Sequence, residues 1–185
     1  MTQTALIPVA QGSEDIEAVT LIDVLRRAGV RVTVASVETT REVVFAHGTR
    51  VVADALLADV VDPRFDLIVL PGGMPGAERL RDTPALIARL REQDARAALF
   101  GAICAAPGVV LGTHGLIGAR RATAYPGFEH LLPAGSFVDQ RVVRDGHLLT
   151  SRGPGTALEF ALALVEALGL HDKAAQLATG MLVRR

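Results

Sequence analysis

Short apolar runs alternate along this chain with stretches of helical periodicity, and no other feature limits the fold as much. "ALIPVA" (5–10), "RVTVASV" (31–37), "FDLIVLPGG" (65–73) and "AALFGAI" (97–103) read as strands. Between them, "EDIEAVTLIDVLRRAGV" (14–30) places apolar residues at 16, 19, 21, 22 and 25 and stops at Gly29, the pattern of an amphipathic helix. Further helices are predicted over 83–95, over 106–115 as a short one, and over 155–170 and 172–182. "REVVFAHGTRVVAD" (41–54) reads as a hairpin around His47-Gly48. "QRVVRDGHLLTS" (140–151) reads as one around Asp145-Gly146, and "RRATAY" (120–125) is strand-like. Strands that are apolar throughout must be covered on both faces, so the alternation implies an α/β sandwich with a mainly parallel central sheet.

A length of 185 residues fits a single domain over 1–185 and no linker or repeat divides it. The net charge of −1 supplies no basic field for nucleic acid or an anionic membrane, and the low aromatic content, 4%, argues against a stacking platform for single strands. One cysteine excludes an internal disulfide and a cysteine-rich zinc site, and fits a reducing compartment. The first residues lack a basic region, which argues against a signal peptide, and no apolar stretch reaches the ~20 residues of a membrane span. A cytoplasmic protein is expected.

In parallel α/β sheets, sites form at the carboxyl ends of strands. Three junctions qualify: Gln11–Glu17 after the first strand, "LPGGMPGAE" after the third, and "AICAAPG" after the fourth. Cys104 lies in the last. Unpaired amides and the dipole of a following helix would lower its pKa and make it a nucleophile, although a free cysteine is equally at home as buried apolar filler. Gly72 and Gly73 would let amides approach a ligand, as in an oxyanion pocket, or simply serve a turn. Glu14 and Glu17 share one face of the first helix turn. Acids there are ordinarily solvated caps, but if Glu17 points at Cys104 its pKa should rise and it becomes a proton shuttle. None of the five histidines stands at a metal-ligand spacing, so no metal is expected, and His147, in a turn, matters least.

Taken together, "GSEDIEAVTLIDVLRRAGVRVTVA", "DLIVLPGGMPGAERL", "AICAAPGVVL" and "LLTSRGPGTALEFALALVEALG" closely resemble the ThiJ/PfpI family, within the class I glutamine amidotransferase-like superfamily. The nearest branch is the parkinsonism-associated deglycase group and its bacterial relatives. The resemblance implies a flavodoxin-like sandwich, a homodimer, and a reactive Cys104 hydrogen-bonded by a protonated Glu17. Glu14 matches the second acid of that helix, and Gly72, Gly73 and the amide of Ala105 match the oxyanion pocket. Arg27 matches an arginine used near the dimer interface, and Ser151 and Arg152 match a rim segment. Tyr125 stands where many relatives place a histidine, and His47 near where they carry an arginine. Alanine follows the cysteine here, which argues against peptidase and amidotransferase activity.

These residues support cofactor-independent conversion of small α-oxoaldehydes, glyoxal to glycolate or methylglyoxal to lactate, with Cys104 as nucleophile and Glu17 as general acid and base. The alternative is an oxidative-stress sensor or redox-regulated chaperone acting through oxidation of Cys104. A structural domain with an inert thiol is the third reading.

Overall fold

The computed structural model describes residues 2–61 and 64–183. The strands are β1 (Thr4–Val9), β2 (Arg31–Ser36), β3 (Glu42–Val44), β4 (Arg50–Val52), β5 (Ala55–Leu56), β6 (Leu67–Leu70), β7 (Leu99–Ile103), β8 (Val142–Asp145) and β9 (Leu148–Ser151). The helices are α1 (Asp15–Arg27), α2 (Gly76–Arg81), α3 (Pro84–Ala95), α4 (Ala157–Ala167) and α5 (His171–Gly180), with a π-helical segment over Pro107–Gly112. Seven strands form one sheet in the order β5-β2-β1-β6-β7-β9-β8, parallel throughout except for β8 against β9. The β3–β4 hairpin stands apart as a two-stranded ribbon.

The layers follow from burial. Every residue of β6, and all but the first of β1, is buried because α1 and α4 cover one face of the sheet, with α5 packed on α4, while α2, α3 and the π-helix cover the other. Helix α4 lies between the sheet, α1 and α5, so its buried set, from Ala157 to Val165, is wider than one stripe. The chain leaves β1 toward β2 on one side and returns to β6 on the other. That reversal opens a crevice beyond the carboxyl ends of β1 and β6.

One local reading differs from the observed structure. Residues 120–125 form no strand, only a bridge between Ala122 and Phe137. The β7 edge is already paired by β9 and β8 closes the sheet, so the amides of 120–125 find loop and side-chain acceptors instead. Ala122 N–H donates to Ser136 and Thr123 N–H to the Thr150 hydroxyl. The short helix expected after Cys104 is present, and it is π-helical over Pro107–Gly112. Helix α2, inside "LPGGMPGAERL", has six residues, too few for periodicity to reveal.

His147 also has a larger role than its turn position suggests. Its Nε2 lies 2.7 Å from Asp94 Oδ1, and Arg120 Nη1 donates to the same oxygen at 2.6 Å. The Arg120 guanidinium covers the Phe100 ring at 5.4 Å. This group ties the end of α3 to the β8–β9 turn, at the amino end of β7. The hydrogen bond from Arg120, with lesser help from His147, holds the Asp94 carboxyl below its ordinary range. A depressed carboxyl contributes stability above the unfolded-state pKa, and that contribution disappears as pH falls through the folded value. Asp94→Asn is therefore expected to cost ~1–3 kcal/mol in urea unfolding at pH 7, with the difference narrowing below about pH 4. Equal losses at both pH values would contradict the assignment.

Candidate active site

The carboxyl ends of β1, β6 and β7 bring together the three junctions singled out in the sequence. Helix α1 begins with Glu14 as its cap: Glu14 Oε2 accepts the Glu17 N–H at 2.7 Å, and Glu14 N–H donates to Gly72 O at 3.0 Å. One turn later Glu17 points inward, and its residue surface is 0% exposed. Glu17 Oε2 accepts the Gly72 N–H at 2.8 Å, while among the described residues Oε1 has no hydrogen-bond partner.

Cys104 leaves β7 with φ = 65°, a left-handed conformation rare for a residue with a side chain. Its N–H donates to Ser151 O and its carbonyl accepts the Tyr125 N–H at 2.8 Å, so backbone on both sides holds the turn. Strain of this kind persists where the surroundings impose it, and it is a signature of functional turns. Gly72 permits the close approach. A Cβ there would lie 2.6 Å from Cys104 Cβ and 2.9 Å from Glu17 Oε2. Gly73 has φ = 87°, and a Cβ on it would meet Glu14 N at 2.4 Å.

The electrostatics correct one expectation. Burial pushes the Cys104 thiol up to about 12, and the Glu17 carboxylate beside it pushes in the same direction. The amides of Gly73 and Ala105 bond to the sulfur and lower the value, but by less. The predicted low-pKa thiolate therefore does not stand in the free site while Glu17 is charged. Burial, together with the negative charge of Glu14, raises Glu17 to about 7 against the pull of the Gly72 amide. The two groups titrate as one unit: near neutrality the pair loses its first proton, and the second leaves only at high pH. A buried base with a pKa close to the working pH, beside a thiol, can take the thiol proton as the sulfur attacks.

Cys104, Glu17, Glu14, Gly72, Gly73 and Ala105 thus stand together at these strand ends, and Gly72 serves another role than an oxyanion donor. The Gly72 amide is engaged by Glu17, which leaves Gly73 and Ala105 as the amide donors to the sulfur. Tyr125 lies on the rim, 43% exposed, its ring packed against Gly153, where a Cβ would meet Cδ2 at 2.9 Å. The Ser151 side chain is not in the pocket: its hydroxyl donates to Arg141 O and lies 2.6 Å from the Thr156 hydroxyl. Arg152 is tethered outside the sulfur's immediate surroundings, donating to Asp139 at 2.6 Å and stacking on Phe137. Arg27 is outside the pocket of its own chain. It sits ten residues after Glu17, about 15 Å along the helix, and pairs with Asp23 at 2.7 Å on the surface. Thr123 joins the residues worth noting, because its hydroxyl is buried with no partner among the described residues. Among the described residues no helix is long and apolar enough to cross a membrane.

Comparison with known proteins agrees with this geometry. Residues 3–167 match the model of the DJ-1/PfpI family. The chain is 49% identical over 185 residues to Protein DJ-1 homolog A of Arabidopsis thaliana, covering 99% of this chain and 47% of that protein. It thus spans about half the length of that relative. It is 39% identical over 164 residues to Glutathione-independent glyoxalase DJR-1.2 of Caenorhabditis elegans, covering 88% of this chain and 87% of that one. The solved structure of oxidized Toxoplasma gondii DJ-1 superposes with a TM-score of 0.97 at 47% identity, with full coverage of both chains. With a strained cysteine after β7, a buried glutamate on α1 and family similarity running nearly end to end, this chain belongs to the DJ-1/PfpI family.

Proposed function

We propose that this protein converts small α-oxoaldehydes to α-hydroxy acids, a glutathione-independent glyoxalase or deglycase-like activity. The observation that carries the reading is the geometry of Cys104. Its sulfur sits in a strained turn, is bonded by the Gly73 and Ala105 amides, and faces a buried Glu17. The name of the C. elegans relative supports the choice of substrate.

The sulfur adds to the aldehyde carbon of methylglyoxal while Glu17 accepts the thiol proton. The oxygen that gains the electron pair lies toward the Gly73 and Ala105 amides and takes that proton from Glu17, which gives a hemithioacetal and restores the carboxylate. Glu17 then moves the proton of that carbon to the neighbouring carbonyl carbon while the hydroxyl proton passes to the neighbouring oxygen, leaving a thioester. Water cleaves the thioester, releasing lactate and restoring the thiol. No redox cofactor enters the balance, because one carbon is oxidised as its neighbour is reduced. The test is lactate formation from methylglyoxal without glutathione, and its absence overturns the reading.

A second reading is favoured by the oxidized form of the T. gondii relative. Cys104 would take up peroxide oxygen and act as a sensor or a redox-regulated chaperone. Mass spectrometry after mild peroxide separates the two: two added oxygens on Cys104 without aldehyde turnover select the sensor.

A cytoplasmic homodimer is proposed for either role. Its support is apolar surface shared by α1 and the β3–β4 hairpin, where Ile16 (57%), Val19 (46%) and Val52 (66%) are exposed and Val19, Ile22, Val51 and Val52 line one shallow groove. Val52→Asp is expected to convert a micromolar dimer to monomer in sedimentation velocity. A wild type that is already monomeric at that concentration would refute the dimer.

A further inference from the structure

Sheet order sets the sulfur between two neighbours. Cys104 follows β7, with the end of β6 on one side and the end of β9 on the other. On the β6 side the Gly73 amide bonds the sulfur, and the next residue, Met74, is 42% exposed. On the β9 side Ser151 O accepts the Cys104 N–H, and Gly153 follows two residues later. Tyr125 closes this side. Its N–H donates to Cys104 O at 2.8 Å, and its ring rests on Gly153, where a Cβ would stand 2.9 Å from Cδ2 and 3.3 Å from Cε2. Only glycine leaves room for the ring there. Phe128 meets the same ring edge-on, with centroids 6.5 Å apart at 62°.

The ring is thus held from two sides and still exposed. The chain has one tyrosine, six phenylalanines and no tryptophan. Among the described residues the exposed aromatic side chains are Tyr125 and Phe137 alone. Phe137 is capped by the Arg152 guanidinium at 5.6 Å, and Arg152 is itself paired with Asp139. Tyr125 therefore presents an apolar face whose position is fixed before any ligand arrives, and a contact that needs no ordering on binding keeps most of its energy.

We propose that Tyr125 is a specificity-determining residue, whose ring receives the substituent of an α-oxoaldehyde held at Cys104 and favours a flat apolar group, such as phenyl, over methyl. The assignment rests on the aldehyde reading above and narrows its substrate class. Once the aldehyde carbon meets the sulfur and its oxygen faces the Gly73 and Ala105 amides, the rest of the substrate must leave the pocket outward. Glu17 and Gly72 are buried and close the floor, so the exit runs past Met74 or past Tyr125. A thioether side chain adapts to any apolar group, whereas a fixed ring selects flat ones. Stacking and the extra apolar area withdrawn from water make phenyl worth about tenfold over methyl.

The test alkylates Cys104, the single thiol of the chain, with phenacyl bromide and with bromoacetone, which share one reacting group and differ as phenyl differs from methyl. In both, the sulfur displaces bromide, a C–S bond replaces the C–Br bond, and the thiol proton passes to Glu17. Rate constants from intact-protein mass spectrometry are divided by those of N-acetylcysteine with the same reagent. Wild type and Tyr125→Phe are expected to favour the phenyl reagent by at least about tenfold on this scale. Tyr125→Ala and Tyr125→Leu, the second keeping apolar bulk without a flat ring, are expected to lose most of that preference. Equal normalised rates in wild type overturn the proposal, as does a preference that survives in both variants. Turnover separates it from the reaction itself. A phenyl preference in alkylation without turnover of methylglyoxal or phenylglyoxal defeats the glyoxalase reading and leaves the selectivity of the pocket standing. Turnover of both aldehydes with equal normalised alkylation rates defeats the selectivity alone.

Discussion

Cys104→Ala is expected to lower kcat/KM for methylglyoxal by at least about 10³-fold, to the background of the uncatalysed reaction, while the protein remains folded. Removing a nucleophile takes away the covalent route altogether, and losses of this size are typical for groups that act as a unit with their base. The stability readout separates chemistry from structure. Cys104 holds φ = 65° against the preference of any residue with a Cβ, and alanine inherits that strain. Glycine does not, so Cys104→Gly is expected to be about 1 kcal/mol more stable than Cys104→Ala and equally inactive. The site would then be one where conformational strain is kept for function. Turnover by Cys104→Ala within a few-fold of wild type would sink the mechanism.

Glu17→Gln is expected to cost turnover and to add stability, with the second effect confined to neutral and alkaline pH. Glutamine fills the same space and can still accept the Gly72 N–H, but it cannot take the thiol proton. A loss of about 10²–10⁴-fold in kcat follows from removing a positioned base. The stability effect has a definite sign. Glu17 is raised from 4.5 to about 7 in the folded protein, so the native state holds its proton more tightly than the unfolded chain. The contribution of Glu17 to wild-type stability therefore falls as pH rises from about 4.5 to about 7 and levels off above, by about 3 kcal/mol in all. Glutamine has no charge to desolvate and escapes that loss. Urea unfolding at pH 8 should show Glu17→Gln more stable than wild type by up to about 3 kcal/mol, and the advantage should shrink toward zero near pH 4.5. A difference independent of pH would mean that Glu17 is not the buried, proton-holding group described here.

The alternation of apolar strands and helices was legible because periodicity is a local property, and β1, α1, β2, β6, α3, β7, α4 and α5 all stand within a few residues of their predicted places. Segments whose pairing depends on distant neighbours were less legible. The strand-like run at 120–125 looked like β-structure because its composition does, yet it joins no strand of the sheet and its amides find loop and side-chain acceptors. The placement of Cys104 with Glu17, Gly72 and Gly73 was also readable, since strand ends in a parallel sheet converge by topology.

The sequence alone determined the layered α/β architecture, the single thiol at the end of a buried strand, and the acids and glycines that surround it, because these follow from residue order and repeat. The tertiary structure decided what those groups are chemically. It spent the Gly72 amide on Glu17, turned Ser151 into the hydrogen-bond network behind the pocket, left Arg27 on the surface, and raised rather than lowered the thiol. It also set His47 against Glu14 across 33 positions of chain. Proton affinity depends on the dielectric and on the charges within a few ångströms, and those are properties of packed neighbours that no linear spacing encodes.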